Sequence, residues 1–113
     1  MRLLMLVCRD ESIGFSPQQR ASIGPEVEAW VTEMERRGVR LQGEVLAPVD
    51  HTATIRVRRG EVIVNHGPRV KTTEPVSGFN LLNCADLNEA LEVAAKHPIA
   101  RFGTIELRPL AEG

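Results

Sequence analysis

Two helix-patterned stretches, each set between runs with strand periodicity, constrain the fold of this chain more than any other feature. In the first, Val27, Trp30, Val31 and Met34 recur at i, i+3, i+4 and i+7 and lay one apolar stripe along a helix. Gly24 and Pro25 open that helix, and Gly38 supplies a left-handed C-terminal cap. Upstream, Ser16, Pro17 and Gln19 have the spacing of an N-cap, a first helical position and a capping-box partner, which predicts a separate short turn. The second stretch starts at the capping box Asp86 to Glu89, turns Leu87, Ala90, Leu91, Ala94 and Ala95 to one side, and ends at His97, which precedes Pro98.

The strand signals fill the gaps. Residues 2–8 form a continuous apolar run, expected to be a strand buried on both faces. Residues 39–46 alternate with period two and stop before Pro48. Residues 51–58 and 61–65 alternate around Arg59-Gly60 and read as a hairpin whose turn type the sequence leaves open. Residues 76–84 and 103–108 complete the set. The order is β-α-β-(β-β)-β-α-β, an α+β arrangement. Without the hairpin it is the ferredoxin-like split βαβ. Two helices cover one face of such a sheet, so the other face is either wet or buried against a second copy.

At 113 residues the chain is expected to be a single domain spanning 1–113. Its net charge of -1 gives no electrostatic footprint for nucleic acid, and three Phe, one Trp and no Tyr give no stacking platform. The apolar N-terminal run ends at Arg9 and is too short for a secretory core or a membrane span, which predicts a cytoplasmic protein with no membrane partner. Cys8 and Cys84, both placed in strands, lack a CxxC or a His cluster and read as reduced structural thiols.

Residues 65–79 crowd an imidazole, a guanidinium, an ammonium, hydroxyls and a carboxylate into one Gly- and Pro-punctuated loop. Here His66 is the candidate acid or base, and Arg69 and Lys71 are candidate anion holders beside Thr72 and Glu74. The bland reading is a solvated loop whose charges pair across a dimer. Asp10, just behind the first strand, is the candidate to orient His66; Glu74 is the alternative. Arg101 joins Arg69 and Lys71 as a third basic group for a ligand. His51 and His97 read as structural, and His spacing argues against a dedicated metal site. Thr104, Glu106 and Arg108 share one face of the last strand, read as central, where polar groups must be paired or wet.

In order and spacing, several pieces resemble the YCII-related proteins, in the branch with an Asp-Gly-Pro-Phe motif. They are the first strand leading into Asp10 and Glu11, residues 34–38, residues 41–46, Ala53 to Arg56, His66-Gly67-Pro68, residues 71–74, Gly78-Phe79, residues 85–90, His97-Pro98 and residues 103–109. The resemblance runs almost end to end. It implies a ferredoxin-like fold that pairs sheet to sheet as a dimeric αβ barrel, and little about chemistry. Some relatives have been proposed as enzymes with a His/Asp pair, and some occur beside sigma-factor-like regulators. Here the motif reads His66-Gly67-Pro68-Arg69, so a role for its usual carboxylate does not carry over.

Three functions follow as expectations. The first is a homodimeric domain whose polar cleft binds a small anionic ligand or serves an accessory or regulatory role. The second is a small lyase, isomerase or hydrolase using His66 with Asp10 or Glu74. The third is a purely structural dimer. No cofactor is expected.

Overall fold

The computed structural model describes residues 1–112. In chain order the elements are β1 (Arg2–Cys8), α1 (Pro17–Arg36), β2 (Arg40–Val45), β3 (Ala53–Arg58), β4 (Glu61–His66), β5 (Val76–Asn83), α2 (Leu87–Ala95) and β6 (Thr104–Pro109). Short 3-10 turns at Val49–His51 and Pro98–Arg101 complete the list. Four strands pair antiparallel in the order β2-β5-β1-β6, while β3 and β4 form a ribbon of their own. Each helix therefore crosses between two parallel strands that hold a third between them, the ferredoxin-like split βαβ. No helix among the described residues is long and apolar enough to cross a membrane.

Alternation along β1 decides where the core lies. Leu3, Met5 and Val7 are buried beneath the helices, while Leu4, Leu6 and Cys8 stand on the other face and are only partly covered. Ile23, Trp30 and Met34 of α1 and Ala90, Val93 and Ala94 of α2 close the core from above. The Trp30 indole N–H donates to the Val93 carbonyl at 3.0 Å and pins one helix to the other. Outside the core, Arg37 repeats the link by a two-pronged bond to Glu92 at 3.2 and 3.0 Å.

The helix starts earlier than its apolar stripe suggested. Ser16 and Gln19 form a true capping box, but it begins α1 itself, which runs unbroken through Pro25. Gly24 and Pro25 are both exposed, so the carbonyl that loses its partner to the proline can face water. At the far end the Val39 N–H reaches the Met34 carbonyl and the Gly38 N–H reaches that of Glu35, both at 2.9 Å, with Gly38 at φ 71°. That pattern is a Schellman cap, and only glycine takes its backbone angle without strain.

The edges of the sheet differ from the sequence expectation. β6 is an edge strand, so Thr104, Glu106 and Arg108 sit exposed at a rim and need no buried partner. β2, the other edge, carries a bulge at Leu41 and is mostly exposed rather than evenly half-buried. Cys84 is buried just beyond the end of β5. On the helix-free face, Leu4 and Leu6 of β1 stand opposite Leu81 and Phe79 of β5. Gln42 and Glu44 flank them on one side, Glu106 and Arg108 on the other. The face is an apolar strip with polar margins, so β1 is buried on both faces only if something covers it.

The β3–β4 ribbon turns through Arg59 at φ 52° and Gly60 at φ 79°, two positive values in succession that define a type I′ turn. The Cα radius of gyration of the chain is 16.1 Å, against the roughly 13 Å usual for a globular chain of this length. The ribbon accounts for the excess, because it projects from the body.

Candidate functional site

The polar loop comes back to the end of the first strand. The Arg9 N–H donates to the Pro75 carbonyl at 3.3 Å, and the Thr104 hydroxyl donates to the Glu74 carboxylate at 2.7 Å. Glu74 also caps its own turn, its N–H donating to the Thr72 hydroxyl at 3.2 Å. Cys8 lies close by on the open face. Burial raises its thiol pKa, and the Glu106 and Glu74 carboxylates raise it further, so it rests as a thiol at neutral pH.

The candidate residues do not gather into one constellation within a single chain. His66 is exposed at the end of β4 and makes no ion pair or side-chain hydrogen bond among the described residues. Asp10 is engaged elsewhere, accepting from the Ser12 hydroxyl at 2.6 Å and the Ser12 N–H at 2.9 Å. Those two bonds hold its carboxyl below the usual range. Arg69 and Lys71 are exposed and in no ion pair among the described residues. Arg101 sits with the helices, paired to Glu26 of α1. No group of three or more His, Cys, Asp or Glu side chains among the described residues is placed to hold a metal ion.

A different set of residues lines a cleft of about 650 Å³ between α1 and the β2–β5 side of the sheet. Val27, Val31, Val7 and Ile99 make its apolar walls, and Arg9, Glu11, Arg40, Asn80 and His97 bring the polar groups. Asn80 is buried at the phase of β5 that faces the helices. Its side-chain oxygen accepts from Arg40 Nε at 2.7 Å, and Arg40 in turn holds Glu35 at 2.6 Å. The oxygen being fixed, the Asn80 amide N–H group is left without a protein partner among the described residues.

His97 caps the second 3-10 turn, its Nδ1 accepting from the Ile99 N–H at 3.1 Å. That bond places the ring proton on Nε2, which is likewise unpartnered among the described residues. No fully buried side-chain nitrogen or oxygen among them lacks a partner, so both groups open onto space rather than packed protein. Burial pushes the His97 pKa down to about 4, so the imidazole is neutral at physiological pH. Arg9 stands half-buried at the mouth, its guanidinium 4.9 Å over the Phe15 ring and in no ion pair among the described residues. Glu11 and Glu44 bring two acidic groups to the cleft, and one Glu11 oxygen is taken by the Val49 N–H at 3.1 Å.

Gly43 makes room for this arrangement. A Cβ there would collide with the Asn80 side-chain oxygen and stand 2.7 Å from the Phe79 carbonyl. Gly43→Ala is expected to push Asn80 and Arg40 apart and to cost about 1–3 kcal/mol, as overpacking does. Urea denaturation measures the loss.

The profile of the YCII-related domain matches residues 1–112, and the chain belongs to that family. It is also similar to an uncharacterised protein of Rhizobium meliloti (strain 1021), at 44% identity over 68 residues. The match takes in 58% of this chain and 55% of that protein, so the chain spans about half the length of the curated relative it matches.

Proposed function

We propose that this YCII-related domain is a homodimer that binds a small anionic ligand with an apolar body, and that the ligand lies in the cleft between α1 and the β2–β5 side of the sheet. One observation carries the reading: three donors lining the cleft are left without a partner among the described residues. They are the Arg9 guanidinium, the Asn80 amide and His97 Nε2–H. A carboxylate or phosphate is the kind of group such donors bind, and donors to an ionised group are the strong kind. The valines and Ile99 suit a short hydrocarbon or aromatic body, the usual mix of apolar wall and few polar anchors in a ligand site. The apolar strip of Leu4, Leu6, Phe79 and Leu81 supports pairing through the open face, since a contiguous, only half-covered apolar strip with a polar rim is costly to leave in water.

Titration with benzoate, hexanoate and inorganic phosphate, followed by amide chemical shifts, tests the site. Shifts are expected at Arg9, Asn80 and Gly43, and Arg9→Met is expected to weaken binding about tenfold or more, the range for one bond to a charged group. Equal affinity in that variant removes the cleft from consideration. Arg69 and Lys71 favour a second reading, in which the anion sits on the polar loop. If Arg69→Ala and Lys71→Ala lose binding while Arg9→Met keeps it, the loop is the site.

A further inference from the structure

The β3–β4 ribbon is amphipathic with no apolar partner in its own chain. Ile55 pairs across from Val64 and Val57 from Val62, so four β-branched side chains share one face. They are 65, 49, 57 and 68% exposed in that order, too much for residues of this type unless something covers them. A two-stranded ribbon alone is marginal in water and gains stability when its apolar face packs. The opposite face carries Thr54, Arg56, Arg58, Glu61, Ile63 and Asn65.

The chain's own body cannot supply the cover. Its thinnest dimension is 18 Å, which fits one sheet and one helix layer. A ribbon folded back beneath the sheet would add a further layer about 10 Å away. It therefore projects within the plane of the slab, with its apolar face unmet.

Charge points to what meets it. The ribbon, residues 53–66, holds three arginines against one glutamate, a formal +2, while the whole chain is -1, which leaves -3 on the rest. The margins of the open sheet face carry Glu44 and Glu106, with Glu74 close by and Arg108 as the base beside Glu106. A basic arm and an acidic body on one chain are complementary between two copies of it.

We infer that the β3–β4 ribbon is an arm that clasps a second copy of this chain, packing Ile55, Val57, Val62 and Val64 onto the partner beside its open sheet face. Two-fold symmetry then gives two equivalent clasps. The inference rests on the homodimer reading and adds to it where the arm goes.

The test uses the full chain and threonine, which keeps β-branching and removes the apolar contact. In Ile55→Thr, Val57→Thr, Val62→Thr and Val64→Thr combined, light scattering over a concentration series is expected to show the dimer dissociation constant raised at least a hundredfold. Trp30 lies in the core away from the ribbon, so its emission should stay native. Amide exchange in the ribbon should be slow in the wild-type dimer and fast in the variant. A wild-type chain that stays monomeric at high micromolar concentration overturns both the dimer and the arm. A variant that dimerises as tightly as wild type overturns the arm alone and leaves pairing through the sheet face standing. Loss of native Trp30 emission in the variant would place the ribbon in its own chain's fold and overturn the inference too.

Discussion

Trp30→Ala is expected to lower the unfolding free energy by about 3–5 kcal/mol, the range for truncating a large aromatic in a packed core. Trp30 is 4% exposed and sits where both helices meet the 3-10 turn that follows α2. Its loss removes three things at once: the ring volume, the bond to the Val93 carbonyl, and an edge-on contact with the His97 ring at 4.8 Å between centroids. A domain of this size has roughly 5–15 kcal/mol in total, so the variant stands close to the limit of folding at 37 °C. Far-UV circular dichroism under urea measures it, since the only Trp in the chain is gone.

Trp30→Phe separates the contributions. The ring volume is largely kept, and the Val93 carbonyl still accepts from the Lys96 N–H at 3.3 Å, so it is not orphaned. The loss should therefore fall to about 1–2 kcal/mol, near the value of one hydrogen bond plus a small void. A loss as large as that of Trp30→Ala would mean that the indole N–H, not packing, holds the two helices together.

The elements were legible because periodicity and capping agree in this chain. The stripe through Val27, Trp30, Val31 and Met34 marked a helix and its buried side, while the box at Asp86 to Glu89 marked only where α2 starts: the side turned to the core is Ala90, Val93 and Ala94, and Leu87, Leu91 and Ala95 of the expected face are exposed. What sequence concealed was set by neighbours in space. Pro25 reads as a helix start, yet it lies on the solvent side of a helix already capped at Ser16. The rim position of Glu106 depends on strand order, which no local pattern carries. The cleft is hard to read from sequence because its lining comes from segments far apart in the chain, β1, α1, β2, β5 and the turn after α2. Two signals for it were present: Asn80 occupies the buried phase of an otherwise apolar strand, and Gly43 interrupts β2 directly opposite it. A buried amide facing a glycine marks a place where a polar group must be held in a small space.

Stability between pH 6.5 and 4 is expected to be governed by His97. Its folded pKa is about 4 because burial disfavours the charged ring, against 6.5 when exposed. In that window the unfolded chain takes up a proton that the folded chain refuses, so stability falls as pH falls through it and levels off below about 4. The shift corresponds to roughly 3 kcal/mol, all of it present above pH 6.5. Glu92, held to about 2 by Arg37 and then by Lys96, acts in a lower window, with its contribution lost only as pH falls from 4.5 toward 2. His97→Asn keeps a side-chain oxygen to cap the Ile99 N–H and removes the titration. Its stability should stay nearly flat from pH 6.5 to 4.5, and its deficit against wild type should shrink by about 3 kcal/mol over the full window. A wild-type slope surviving in His97→Asn would assign the acid sensitivity to other groups. Trp30→Ala opens the same ring to water and should raise its pKa toward 6.5, so the two substitutions flatten the same limb of the curve by different routes. Urea unfolding at half-unit pH steps in the wild type and both variants reads that limb directly.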